Sequence, residues 1–138
     1  MQIRSRLTKA GMLGSAAVAA LALSTAPASA APAVTASPSS GLADGQTVTV
    51  SGSGYQAGAE VAVSQCREST TCTDTLATAT VRSDGTFTVP YTVRKQFTAT
   101  DWSTGTGTSV TVDCAAQQCQ LVAYLASTGP VGTDISFG

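Results

Sequence analysis

Short segments in which apolar and polar residues alternate with a period of two, each closed by a Gly, Asp, Pro or Ser signal, recur from residue 33 to the end of the chain. That rhythm is the mark of half-buried strands and leaves little support for helix. The clearest segment runs from Thr86 to Arg94, where Phe87, Val89, Tyr91 and Val93 fall on one face and Thr86, Thr88, Thr92 and Arg94 on the other. Pro90 falls on the outward side and has no N–H to give a ladder, so this strand is expected at a sheet edge or a bulge. The same pattern predicts strands over Ala33–Ser37, Gln46–Ser51 with Val48 and Val50 inward, Glu60–Cys66 with Val61 and Val63 inward, and Leu76–Arg82. Further strands are expected over Ser109–Cys114, Gln120–Ala126 and Thr133–Phe137, the last with Ile135 and Phe137 on one face. Asp44-Gly45, Ser53-Gly54, Ala57-Gly58 and Asp84-Gly85 supply turn chemistry, and Asp84-Gly85 is the strongest hairpin signal. About eight short strands with no helical connection predict an all-β domain of two packed antiparallel sheets, an immunoglobulin-like β-sandwich. Thr98–Thr108, with five Thr and two Gly, is the longest stretch without the pattern and is expected to be a loop or mobile ribbon of the kind that meets ligands.

Ahead of this region stand Arg4, Arg6 and Lys9, an apolar run from Ala10 to Leu23, and the small residues Ala28-Ser29-Ala30. This is the order of a secretory signal peptide over residues 1–30, and the run is shorter than the roughly 20 apolar residues that cross a bilayer. The expected product is a secreted, extracellular protein with one domain over residues 31–138, about 100 residues, and no membrane partner. That domain keeps four basic residues (Arg67, Arg82, Arg94, Lys95) against eight acidic ones, a net charge of −4. Phosphate binding needs clustered cations, so the bare protein is not expected to bind DNA directly. Low aromatic content and the lack of a further apolar run are expected of a monomer.

Four cysteines, Cys66, Cys72, Cys114 and Cys119, allow three pairings. Spacing favours the two local bridges Cys66–Cys72 and Cys114–Cys119, each closing a small ring that contributes on the order of 2 kcal/mol. An antibody-like bridge from Cys66 to Cys114 is the alternative. Structural zinc fits poorly with paired cysteines in a secreted chain that has no His.

The absence of His also removes the usual base for a nucleophile, and no Lys lies inside an apolar segment. Glu60, Glu68, Asp74 and Asp101 could in principle supply a carboxylate pair, but Asp44, Asp84 and Asp113 sit at turns or strand ends, where Asp serves backbone geometry. No enzyme activity or catalytic residue is expected. Gly52-Ser53-Gly54 opens like a phosphate loop but has no helix or Lys after it, and reads as a turn. Trp102, the single tryptophan, lies in the Thr-rich stretch, either as a lid on the core or as a ligand contact.

Several sequence features then fall in one order: Ser39-Ser40-Gly41-Leu42-Ala43-Asp44-Gly45 before a Val/Thr strand, Gln56-Ala57-Gly58, Gln65-Cys66, and Val93-Arg94-Lys95 followed by Phe97. After them come Val112-Asp113-Cys114 with Cys119-Gln120, and the terminal Ile135-Ser136-Phe137-Gly138. From Ala33 to Gly138 the chain resembles the neocarzinostatin family of enediyne antibiotic chromoprotein apoproteins. The resemblance implies a seven-stranded immunoglobulin-like sandwich with a small β-ribbon subdomain, two local disulfides, and a cleft that carries a non-covalent enediyne chromophore, with no covalent cofactor. Antibacterial and DNA-damaging activity would belong to the chromophore, so that DNA is reached only through it. Carried over residue by residue, the cleft would be floored by Cys66 and Cys72, walled by Leu76 and Trp102, and given a polar contact by Gln120, with Tyr124 as a further aromatic surface. Two positions depart from the aromatic pattern of neocarzinostatin, Glu68 and Leu76. They motivate the alternative of a secreted small-molecule or partner-binding paralogue without an enediyne cargo. An open cleft is expected of the carrier, and a filled cleft with Trp102 packed inward of the paralogue.

Overall fold

Residues 31–138, the part of the chain that the computed structural model describes, form ten strands and no helix. The signal sequence expected over residues 1–30 lies outside the described residues. In chain order the strands are β1 (Ala33–Ser37), β2 (Thr47–Ser53), β3 (Glu60–Glu68), β4 (Thr71–Thr73), β5 (Ala77–Thr80), β6 (Phe87–Thr92), β7 (Gln96–Asp101), β8 (Thr108–Asp113), β9 (Cys119–Leu125) and β10 (Gly129–Ile135). One sheet has the order β1-β2-β6; the other has the order β10-β9-β3-β4-β7-β8, with β5 paired to the first half of β3 and β4 to its end. Every pairing between strands is antiparallel. The all-β, two-sheet architecture is the one the alternation predicts, and β6 lies at a sheet edge as Pro90 requires.

The core lies between the sheets because one residue in two along each strand is apolar. Val48 and Val50 of β2, Phe87, Val89 and Tyr91 of β6, Val61 and Val63 of β3, and Leu121 and Ala123 of β9 are all buried. Phe87 lies against Gly52, where a Cβ would fall inside its ring, and Tyr55 meets it edge-on with ring centroids 5.4 Å apart. The Tyr55 hydroxyl has no partner among the described residues, and burial raises its pKa.

The recurring sequence motifs turn out to be seams that close on one another. Ser39-Ser40-Gly41-Leu42 binds the terminal segment: Leu42 N donates to Ser136 O (3.1 Å), Ser136 N to Ser39 O (3.0 Å) and Gly138 N to Leu42 O (3.1 Å). Asp44-Gly45-Gln46 binds Val93-Arg94-Lys95 through Gly45 N to Val93 O (2.8 Å), Val93 N to Gln46 O (2.9 Å) and Lys95 N to Asp44 Oδ1 (2.9 Å). Buried Gln65 spans from β3 to the β6–β7 connection, donating from Nε2 to Arg94 O (2.7 Å) and accepting from Arg94 N at Oε1 (2.9 Å).

Five details differ from the sequence expectation. There are ten strands instead of about eight, because β4 is too short to show a period and β7 buries only the small Ala99 with half-buried Phe97. For the same reason the stretch Thr98–Thr108 is a β7–β8 hairpin whose connection is confined to Trp102–Gly107. The turn at Asp84-Gly85 is present, with Gly85 at φ 83°, but it joins β5 to β6, which belong to different sheets, so it is not a ladder hairpin. Of Gly52-Ser53-Gly54, the first two residues continue β2 and only Gly54 turns. The last strand also begins earlier than expected, at Gly129, because the β9–β10 turn is tight enough for pairing to start at Leu125 and Gly129.

Candidate ligand cleft on the outer face of the larger sheet

Cross-strand partners in an antiparallel sheet project to the same side, so the register assigns every residue to a face. From Cys66 a single row runs across six strands: Asp134, Gln120, Cys66, Cys72, Thr100 and Ser109. Beside it lie Gly132, Val122 and Ser64, and beyond those Pro130, Tyr124, Ala62 and Thr78. The alternate residues Val61, Val63, Gln65, Leu121 and Ala123 are the core side, so these rows form the outer face of the sheet.

The two disulfides divide between the faces. Cys66 and Cys72 are direct cross-strand partners with Cα atoms 4.0 Å apart, in the middle of the outer face. Cys114 and Cys119 bridge on the core side, where Gln65 Nε2 also reaches Cys114 Sγ (3.2 Å). Both local pairings favoured by spacing are therefore present, and the antibody-like pairing is not.

Among the described residues the exposed large apolar side chains are Leu76 (59% exposed), Trp102 (60%) and Tyr124 (52%). Tyr124 is opposite Ala62 on the outer face, and Leu76, one residue before β5, falls there by alternation from Ala77 and Thr78. Trp102 follows β7 and borders a depression of about 410 Å³ with Cys72, Thr100, Ser69, Thr70, Thr73 and Asp74. Of the six residues expected to contact a ligand, the structure thus brings Cys72 and Trp102 into one depression and leaves Leu76 and Tyr124 exposed on the same face. Gln120 is half-buried beside Cys66 in the row, and Cys66 is fully buried, so the bridge meets solvent through Cys72 alone.

Glu68 does not stand as a free charge. Arg67 Nη2 lies 3.4 Å from Glu68 Oε1 and 3.7 Å from Asp101 Oδ2, and the Thr71 hydroxyl donates to Glu68 Oε1 (3.4 Å). The Ser103 backbone N–H, donating to Asp101 Oδ1 (2.9 Å), holds the Asp101 carboxyl below the usual range, with further help from the Ser103 side chain and the Arg67 guanidinium. Asp101 thereby fixes the turn that carries Trp102.

A larger hollow of about 560 Å³ lies elsewhere, lined by Asp44, Lys95, Gln96, Asp113 and Ala115. Its carboxylates already accept backbone N–H groups, Asp44 from Lys95 and Asp113 from Ala115 (2.9 Å each), so they serve the loops. With Asp84, which accepts from Thr86 N (3.1 Å), they have the turn role their positions predict. No group of three or more metal-ligating side chains occurs among the described residues. No helix of the described residues is long and apolar enough to cross a membrane. Sequence reading missed Asp74 and Thr100, which line the depression with Cys72 and Trp102, and Asp134, Val122 and Ser64 on the same face, the last two buried; counting in twos from Cys66 and Gln120 would have reached Ser64 and Val122.

The comparisons with known proteins agree with one another. The model described as Neocarzinostatin family matches residues 34–137. The chain is 40% identical over 129 residues to the antitumor antibiotic C-1027 apoprotein of Streptomyces globisporus, and 39% identical over 129 residues to actinoxanthin of the same organism, covering 88% of each chain in both cases. Macromomycin is a structural neighbour at TM-score 0.69 and 32% identity, over 78% of this chain and 100% of that one. Apokedarcidin follows at TM-score 0.58 and 32% identity, over 79% and 100%. With the family model matching nearly the whole described region and relatives of 40% and 32% identity beside it, the chain belongs to the neocarzinostatin family.

Proposed function

We propose that this protein is a secreted apoprotein that binds, stabilises and carries an enediyne-type antibiotic chromophore non-covalently, on the outer face around Cys72, Trp102, Gln120, Leu76 and Tyr124. Neocarzinostatin-family apoproteins are carrier proteins and not enzymes. The observation that carries the reading is that the three large apolar side chains exposed among the described residues fall on the face of the Cys66–Cys72 bridge. Exposed apolar side chains gathered on one face, unlike ones scattered singly, point to a binding surface. Trp102 points outward at the rim and is not packed on the core, which supports the carrier over the paralogue. The tie of Glu68 to Arg67 and Thr71 reduces the charge that the alternative relies on.

Antibacterial and DNA-damaging activity would reside in the chromophore, and the chain would act as a monomer. Gentle native mass spectrometry of the protein secreted by its own producer, in the dark and without thiols, tests the reading. The expected result is the chain beginning at Ala31, as a monomer, with one small molecule attached, and near-ultraviolet absorbance beyond that of Trp and Tyr. A mass equal to the bare chain in freshly secreted material, with no added absorbance, would overturn it in favour of the paralogue.

A further inference from the structure

The turn glycines of this chain have positive φ, but Gly107 and Gly132 do not, so backbone conformation does not account for them. A glycine in or beside a strand with ordinary φ weakens it and marks a close approach of another group. Both close approaches are known. A Cβ on Gly132 would collide with the Oε1 end of the Gln120 side chain, and one on Gly107 would stand 2.9 Å from Trp102 Cη2 and 3.1 Å from its Cζ3.

The direction of these two side chains follows from the strand order. Gln120 is on β9, between β3, which carries Cys66, and the edge strand β10, which carries Gly132. Trp102 follows β7, between β4, which carries Cys72, and the edge strand β8, which Gly107 immediately precedes. Each side chain therefore leans outward over its edge glycine and away from the central bridge. The two leans are opposite in sense, one on either side of the Cys66–Cys72 floor.

We propose that Gly132 and Gly107 are positioning residues that seat Gln120 and Trp102 off the floor, so that the cleft stays open between them. The proposal rests on the carrier reading for its purpose but not for its geometry. An added methyl at either position removes the seat and sends the side chain inward or up from the sheet. In Gly132→Ala only the far end of a flexible side chain must move, and in Gly107→Ala the exposed Trp102 ring must shift off the new methyl, so both variants are expected to fold.

The test uses the chain from Ala31 and a neutral aromatic probe, Nile red. In the wild type, NOEs are expected from Trp102 ring protons to Gly107 Hα and from Gln120 side-chain amide protons to Gly132 Hα. In Gly107→Ala the Trp102 emission, which reports one residue because the chain has one tryptophan, is expected to move to shorter wavelength. Nile red affinity is expected to fall about ten-fold in each variant. Gly132→Ala is expected to have no effect on affinity in a Gln120→Ala background, which separates a lost seat from general loosening. Missing wild-type NOEs, or glycine variants that leave emission and affinity unchanged, overturn the seats. If the wild type shows the NOEs but binds no Nile red, the seats stand and the carrier reading for neutral aromatics fails.

Discussion

Asp101 is the residue on which the rim of the cleft depends. Its carboxylate accepts the Ser103 N–H, closes the turn in which Trp102 sits, and faces Arg67 at 3.7 Å. Because its folded pKa is lowered, its contribution is fully present above the unfolded carboxylate value near 3.9 and is lost only as pH falls through the lower folded value. Trp102 emission should therefore stay constant from neutral pH down to about 5 and change below about 4. Asp101→Asn keeps an acceptor for Ser103 and has no proton to gain, so its emission should lack that step while far-ultraviolet circular dichroism is unchanged. A step of the same size in the variant would remove Asp101 from the account. None of this is legible in the sequence, where Asp101 is one more carboxylate beside a loop, because an Asx-type turn depends on two residues that a strand period does not link. Trp102, by contrast, stood out by type alone.

Among the elements, alternation identified those that bury large side chains and missed those that bury little. Thr86–Arg94, with Phe87 and Tyr91 inward, appears as β6, whereas β4 and β7 show little because Thr71 and Ala99 are their only buried residues. Turn chemistry located the bend at Gly85 but not the sheets it connects, since a dipeptide sets φ and not the partners of the strands beyond it. The motif Gln65-Cys66 was visible as a pattern, and its physical sense appears only with β3 in place. Core-side Gln65 joins β3 to the strand connection that follows β6, and outer-face Cys66 joins β3 to β4. Gln65→Met fills similar volume but leaves Arg94 N–H and C=O without their partners. A fully buried backbone group left unpaired costs about 1–3 kcal/mol and this seam is only part-buried, so the variant should lose about 1–2 kcal/mol in denaturant unfolding, with the transition still two-state. A loss within about 0.5 kcal/mol of zero would show that water replaces the glutamine at that seam.

For the whole molecule, the decisive property is where its few charges lie. The described domain carries −4, and its cations do not gather: Arg67 is held by Glu68 and Asp101, Arg82 donates to Thr86 Oγ1 beside the β5–β6 turn, and Arg94 and Lys95 sit in the β6–β7 connection. Counterion release needs several cations along one phosphate track, and here adjacent carboxylates would be repelled from it. The larger hollow, with Lys95, also presents Asp44 and Asp113. The cleft face likewise carries Asp74 and Asp134. The bare chain should therefore produce no mobility shift of duplex DNA even at about 10 mM salt, where the Debye length is roughly 30 Å and attraction is least screened. If a shift appeared and weakened steeply with salt, a cationic track would exist that the fold does not display. A shift that appeared only after loading with an extracted chromophore, and cleaved the DNA, would divide the labour as the carrier reading requires: a β-sandwich that holds, and a small molecule that reaches the helix.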